Sequence, residues 1–305
     1  MKRLFALAAV SMVIMAEPPA RTPRYYLSFW NTGSDQPQSI QAQLNGAPAR
    51  VLEVRKPGEE MMILLVLDLT ESLSLADPAK EALAEQLSKL PPKTMVAVLR
   101  AQDGLTVLLD PTADVEKLTD AVRKVPVTGK AGFLESVEQL SAIGDSILTK
   151  TRVRTATLFI TDSDISNYRE DFTNPVINSS DSSDLSRRFP EGLVQDKIIR
   201  LASRLATGQT PMFVVHLDYR SDRLNEAYQN GIKKLTETTG GMSAFCRSIV
   251  DIPSNIQEMF AKIQSQYSVA LELPAKSKKS IAVSLSVEGA AQSSLSYRPQ
   301  IVVKE

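Results

Sequence analysis

Two groups of oxygen-bearing side chains each follow an apolar run. Asp68, Thr70 and Ser72 come from a single turn after Met61 to Leu67 (MMILLVL), and Thr161-Asp162-Ser163-Asp164 follows the apolar stretch Thr155 to Ile160. One carboxylate and two hydroxyls from one turn, joined by Asp162 from another strand end, are hard oxygen donors of the kind Mg²⁺, Ca²⁺ or Mn²⁺ prefers. The same residues also suit a plainer task, because Asp68 and Ser72 can cap the turn and the helix that follows. Spacing leaves both readings open.

Little else in the 305 residues offers reactive chemistry. One cysteine, Cys246, excludes an internal disulfide, and one histidine, His216, excludes a multi-histidine metal site. His216 lies inside MFVVHLD and reads as a core or strand-end histidine; Cys246, beside Phe245, reads as a small buried hydrophobe. An Asp that ends an apolar strand also opens the haloacid-dehalogenase type of phosphohydrolase site, where it is the nucleophile. That mechanism needs a carboxylate two residues on as general acid, and Thr70 stands there. Thr128-Gly129-Lys130 lacks both the upstream Gly and the following Ser or Thr of a phosphate loop. Asn178-Ser179-Ser180 fits a glycosylation acceptor, a match that would be uninformative in an exported bacterial chain, and Lys276 to Lys279 (KSKK) reads as a solvated hairpin turn. Lys+Arg at 35 balances Asp+Glu at 35, which argues against broad electrostatic capture of nucleic acid or an anionic membrane surface. The chain reads as a non-enzyme.

The elements that must position these residues alternate between strand and helix. MMILLVL is a continuous apolar run, the mark of a strand buried on both faces. Asp77-Pro78 reads as an N-cap and first helical residue, with Leu83, Leu87 and Leu90 along one face of a helix that ends at Pro91-Pro92. Strands are expected at Thr94 to Leu99 and Leu105 to Leu109, helices at 113–124 and 132–148, and a strand at Thr155 to Ile160. A polar stretch, 163–190, lacks periodicity and reads as a long surface loop. A helix at 191–206, the strand Met212 to Leu217, a helix at 221–238, a short strand at Ser243 to Cys246 and a helix at 253–266 complete the series. The fold class expected is α/β: a doubly wound, mostly parallel sheet with helices on both faces. Residues 24–58 and 268–305 alternate with period two instead, and are expected to pair as a small antiparallel β domain beside a central domain of residues 59–267.

The N-terminus reads as an export signal of residues 1–16. Lys2-Arg3 precedes the apolar run Leu4 to Met15, which is too short to span a bilayer, and Ala16 offers a cleavage point. The mature chain is then expected in the periplasm or outside the cell, with no integral membrane span.

Taken together these residues resemble a known family. Asp68-Leu69-Thr70-Glu71-Ser72 after MMILLVL resembles the D-x-S-x-S metal-ion-dependent adhesion motif of von Willebrand factor type A domains. LFITDSD (158–164) is similar to the family strand that ends in T-D-G, and Thr239-Gly240-Gly241 to the T-G-G before its last short strand. The stretch 254–274 (SNIQEMFAKIQSQYSVALELP) resembles the ending of the secreted bacterial subgroup. The resemblance covers about residues 60–270. It implies a protein-interaction or adhesion module in which Asp68, Thr70, Ser72 and Asp162 hold Mg²⁺, or Mn²⁺ or Ca²⁺, and a partner protein's Asp or Glu completes the shell. Three departures stand out: Thr70 for Ser, Ser163 for Gly after Asp162, and Ala131 where the family's third loop carries a metal-binding Thr. Thr128 lies three residues too early, and Lys130 brings a positive charge near the proposed cation. Hence an alternative: a metal-free scaffold that binds partners through the 163–190 loop.

Overall fold

The computed structural model describes residues 23–33, 39–70, 72–165, 190–274, 280–288 and 291–303. The export signal at 1–16, nearly all of the polar 163–190 stretch, and the KSKK turn lie outside the described residues.

The central sheet is built on β5 (Met61–Asp68), whose apolar run is buried on both faces as its composition requires. β6 (Thr94–Arg100) flanks it on one side, followed by β7 (Thr106–Thr112) at the edge. On the other side lie β8 (Arg154–Thr161), β9 (Met212–His216) and β10 (Ser243–Phe245), giving the order β10-β9-β8-β5-β6-β7. All neighbours are parallel except β6 and β7, which pair antiparallel across the Gln102–Gly104 turn. β7 runs through Pro111 to Thr112, beyond the expected end at Leu109; an edge strand tolerates a residue with no N–H to give.

Successive residues of β5 feed opposite cores. Met61, Ile63, Leu65 and Leu67 pack under α1 (Leu73–Ser88), α2 (Val115–Arg123) and a C-terminal helix, Asp251–Gln264, through Leu83, Leu87, Leu118, Val122, Ile256 and Phe260. Met62, Leu64 and Val66 pack under α3 (Phe133–Thr151), α4 (Pro190–Leu205) and α5 (Arg223–Thr239), through Phe133, Val137, Ile198 and Ile232. The helix Asp251–Gln264 is α6. A sheet covered on both faces is therefore the α/β architecture expected.

One helix start differs from the sequence reading. α1 begins at Leu73, not at Pro78, so Pro78 sits inside it. The amides of Leu75 and Ala76 already bond the Ser72 carbonyl at 3.2 and 2.9 Å, which sets the helix axis straight out of the 68–72 turn. Pro78 then forfeits only the bond it would have given to the Ser74 carbonyl.

The terminal segments form two four-stranded sheets. β1 (Arg24–Asn31) lies between β11 (Tyr267–Glu272) and β13 (Leu295–Tyr297), with β4 (Val51–Arg55) beyond β11. β2 (Ile40–Leu44) lies between β12 (Ser280–Val287) and β3 (Ala47–Ala49), with β14 (Gln300–Val302) beyond β12. The alternation read at 280–287 buries Ile281, Val283, Leu285 and Val287 between the sheets, against Leu27, Phe29, Val269 and Leu271. This sandwich attaches at the N-terminal end of the parallel strands. There Arg154, first residue of β8, donates to the carbonyls of Glu59, Gln264 and Gln266, and Gln266 donates to Ser28 of β1 at 2.8 Å.

Candidate metal centre

The opposite, C-terminal end of the sheet gathers the residues singled out from sequence, as expected where parallel strands open a crevice. Asp68 ends β5 and Asp162 follows β8. The Asp162 amide donates to the Asp68 carbonyl at 3.2 Å, so the β5–β8 ladder itself sets the two carboxylates side by side. Asp68 is 0% exposed and Asp162 7%.

Asp162 gathers the first turn around itself. Its Oδ1 accepts from the Thr70 amide at 2.7 Å and the Thr70 hydroxyl at 3.1 Å, and its Oδ2 accepts from the Ser72 amide at 3.3 Å. The Ser72 hydroxyl meets that of Ser74 at 2.9 Å in the first turn of α1. All four residues expected from sequence, Asp68, Thr70, Ser72 and Asp162, are thus brought together. Ser72 also begins α1 as its N-cap residue, though by its backbone and with no side-chain cap bond.

Asp68 meets neutral donors. Its Oδ1 accepts from the Gly132 amide at 2.9 Å and its Oδ2 from the Thr161 hydroxyl at 3.0 Å. Burial pushes its carboxyl up to about 6, the Gly132 amide and Thr161 hydroxyl pull it back in part, and the Asp162 charge pushes it further up. Gly132 is required at its position: a Cβ there would stand 1.9 Å from the Ala101 carbonyl oxygen. The loop before it is zipped to the β6–β7 turn, with the Lys130 amide donating to the Asp103 carboxylate at 2.8 Å and the Asp103 amide donating to the Lys130 carbonyl at 2.9 Å.

That loop decides the departures noted above. Ala131 is 4% exposed and its methyl joins the core with Phe133 and Ala101, so this position brings no oxygen to the site. Thr128 and Lys130 are exposed. Among the described residues, no three His, Cys, Asp or Glu side chains gather as a metal cluster. What the site offers is two carboxylates and the hydroxyls of Thr70 and Ser72. The donor set fits a hard divalent cation: every side-chain atom is oxygen, and a buried, mutually repelling carboxylate pair is stabilised by a positive charge between its members.

Two further acids at the same end are handled differently. The Arg220 guanidinium pairs with buried Asp164 and, at 2.8 Å, with Asp218. His216, at the end of β9, is buried and its Nε2 meets the Ser163 carbonyl at 2.8 Å. A carbonyl only accepts, so Nε2 carries the proton, and burial holds the ring below the usual histidine range. Sequence reading named Thr161 and Ser163 at the strand end without giving either a role, and passed over Tyr228, although the hydroxyl of Thr161 touches Asp68. The visible signal was a hydroxyl residue ending an apolar strand immediately before an Asp.

The sequence matches no family model and no curated protein. Among solved structures it is similar to the SpRpn10 VWA domain, at 16% identity and a TM-score of 0.41, covering 67% of this chain and 95% of that one. It is similar to a von Willebrand factor type A protein from Catenulispora acidiphila, at 10% identity and a TM-score of 0.46, covering 93% and 75%. It is also similar to the vWF domain of the type V pili tip protein Mfa5 from Porphyromonas gingivalis, at 12% identity and a TM-score of 0.44, covering 67% and 95%. At these identities the likeness concerns fold and says nothing of what the site binds. These likenesses are to von Willebrand factor type A structures, and the α/β fold itself rests on the strand order and two-sided packing described above.

Proposed function

We propose that this chain is an exported protein-interaction module that captures a partner protein's carboxylate through a Mg²⁺-type cation held by Asp68, Thr70, Ser72 and Asp162. The observation that carries this reading is Asp68: a fully buried carboxylate beside a second one, supported by an amide and a hydroxyl. Nearby Asp164 and Asp218, by contrast, share Arg220. A divalent ion at Asp68 and Asp162 offsets their repulsion, and with four protein oxygens it keeps coordination positions for an incoming Asp or Glu. Export rests on the charged start and short apolar run of residues 1–16. No helix among the described residues is long and apolar enough to cross a membrane.

The nucleophile reading of Asp68 fits the geometry poorly, since the carboxylate is fully buried and Thr70 takes the place of the acid. The metal-free scaffold binding through 163–190 remains the second reading, and Ala131 favours it by supplying a methyl in place of a ligand. Titration of the full chain with Mn²⁺, followed by its electron paramagnetic resonance, separates the two. Saturable one-to-one binding that is lost in Asp68→Asn and displaced by Mg²⁺ supports the cation site. Absence of Mn²⁺ binding in the wild type assigns the function to the scaffold.

A further inference from the structure

Behind the site runs a chain of buried hydroxyls that the binding reading does not use. Thr161 Oγ1 donates to Asp68 Oδ2 at 3.0 Å, Thr161 Oγ1 and Ser163 Oγ are 2.6 Å apart, and Ser163 Oγ and the Tyr228 hydroxyl are 3.0 Å apart. Asp68, Thr161, Ser163 and Tyr228 are all fully buried.

Counting protons gives this chain a direction. A hydroxyl carries one proton, and an ionised carboxylate can only accept, so the Thr161 proton is committed to Asp68. The 2.6 Å contact must then use the Ser163 proton, and the 3.0 Å contact the Tyr228 proton. Each hydroxyl polarises the next, and the chain delivers its positive end to Asp68 Oδ2. The segment around Ser163 is clamped at three points. The Ser163 amide donates to Thr161 Oγ1 at 3.1 Å, the Ser163 carbonyl accepts from His216, and two residues on, the Ile165 amide donates to Asn225 Oδ1 at 3.1 Å. Asn225 and Tyr228 both belong to α5, so this helix holds the segment that follows Asp162 by its backbone and by the hydroxyl chain.

We infer that Ser163 and Tyr228 are positioning residues for the cation site: they aim the Thr161 hydroxyl at Asp68 and hold that carboxylate in the orientation the cation needs. The inference rests on the cation reading proposed above. Ser163 is one of the departures from the family pattern, and its hydroxyl supplies polar support at a site where Ala131 supplies none. Tyr228 reaches the site through its hydroxyl contact with Ser163.

The test is Mn²⁺ affinity measured at 20 °C on the full-length wild type, Ser163→Gly, Ser163→Thr, Tyr228→Phe and the double variant Ser163→Gly/Tyr228→Phe. Thermal midpoints are measured in EDTA alongside. Tyr228→Phe keeps the buried ring and so keeps the fold testable. The expected result is a loss of about five- to tenfold in affinity for Ser163→Gly, as for one hydrogen bond, with a smaller loss for Tyr228→Phe. Ser163→Thr, which retains the hydroxyl, is expected to bind like the wild type. The double variant is expected to bind no more weakly than Ser163→Gly alone, because the contact with Ser163 Oγ is the route by which the phenol supports Asp68. A purely structural role would lower the EDTA midpoints and leave affinity unmoved. Single variants that bind within twofold of a Mn²⁺-binding wild type overturn the inference while the cation reading stands, and so does an additive double variant. A wild type that binds no Mn²⁺ removes both.

Discussion

The two ends of the central sheet both bury charge, and they neutralise it by different means. At the N-terminal end, Arg154 gives three hydrogen bonds to the carbonyls of Glu59, Gln264 and Gln266, at 2.6, 3.1 and 3.0 Å. Arg298 bonds the carbonyls of Ala206, Gly208 and Thr238 and the Tyr25 hydroxyl, whose own proton burial pushes up to about 12. Each guanidinium meets backbone carbonyls of the α/β domain, and Arg298, which lies between β13 and β14, thereby ties the sandwich to that domain. At the C-terminal end, buried Asp68 has an amide, a hydroxyl and a neighbouring carboxylate that works against it. The first arrangement draws its acceptors from the fold itself, leaving only the Nε of each guanidinium without a hydrogen bond. The second would be stabilised further by a cation, which is why we read the first as structural and propose a functional role for the second.

If that contrast is right, substitutions at the two ends should separate stability from binding. The largest effect is expected from Arg154→Met, which leaves three carbonyls without their shared donor. It should cost about 3 kcal/mol or more in urea unfolding while the remaining folded fraction binds Mn²⁺ as before. Loss of Mn²⁺ affinity in that variant would show that the two ends are coupled.

Next in size is the pH dependence of Asp68. Its folded value of about 6 lies above the ordinary 3.8, so between those values the folded chain keeps a proton that the unfolded chain has lost. The contribution of Asp68 to stability is therefore fullest below about pH 4 and falls as pH rises to about 6. In EDTA, Asp68→Asn should gain on the wild type by up to about 3 kcal/mol between pH 4 and 7, at about 1.36 kcal/mol per pKa unit. Parallel pH profiles for the two proteins would contradict a carboxyl raised by burial at this position.

The smallest stability effect is expected at Ser72. Ser72 is half-exposed and its hydroxyl meets that of Ser74, so Ser72→Ala should change unfolding by less than about 0.5 kcal/mol. Mn²⁺ affinity should nevertheless fall about tenfold with the loss of a ligand. Equal affinity in the two proteins would strike Ser72 from the ligand set.

How much of this was readable in the sequence follows from where each interaction originates. The apolar run 61–67, the alternation at 280–287 and the helical faces are local patterns, and they foretold the strands, the sandwich core and the two-sided packing. Asp68, Thr70 and Ser72 could be grouped because they share one turn, and Asp162 joined them through the rule about strand ends. The start of α1 was misplaced because its cause is not local: Asp162, ninety residues away from Ser72, closes the turn that launches the helix at Leu73. Tyr228 was invisible for the same reason. A tyrosine on a helix face reads as core, and only packing of α5 against the end of β8 brings its hydroxyl to Ser163. Ala131 was correctly flagged as lacking an oxygen, yet only the structure puts its methyl in the core.

The most direct test of the central claim is the thermal unfolding midpoint of the wild type and Asp68→Ala, each in EDTA and then in millimolar Mg²⁺, Mn²⁺ or Ca²⁺. A cation at 100 times its dissociation constant adds about 2.7 kcal/mol to a folded state that alone binds it, a shift of several degrees for a domain of this size. We expect that rise in the wild type and none in Asp68→Ala. An unchanged wild-type midpoint with all three cations, or an equal rise in both proteins, would contradict a cation site at Asp68.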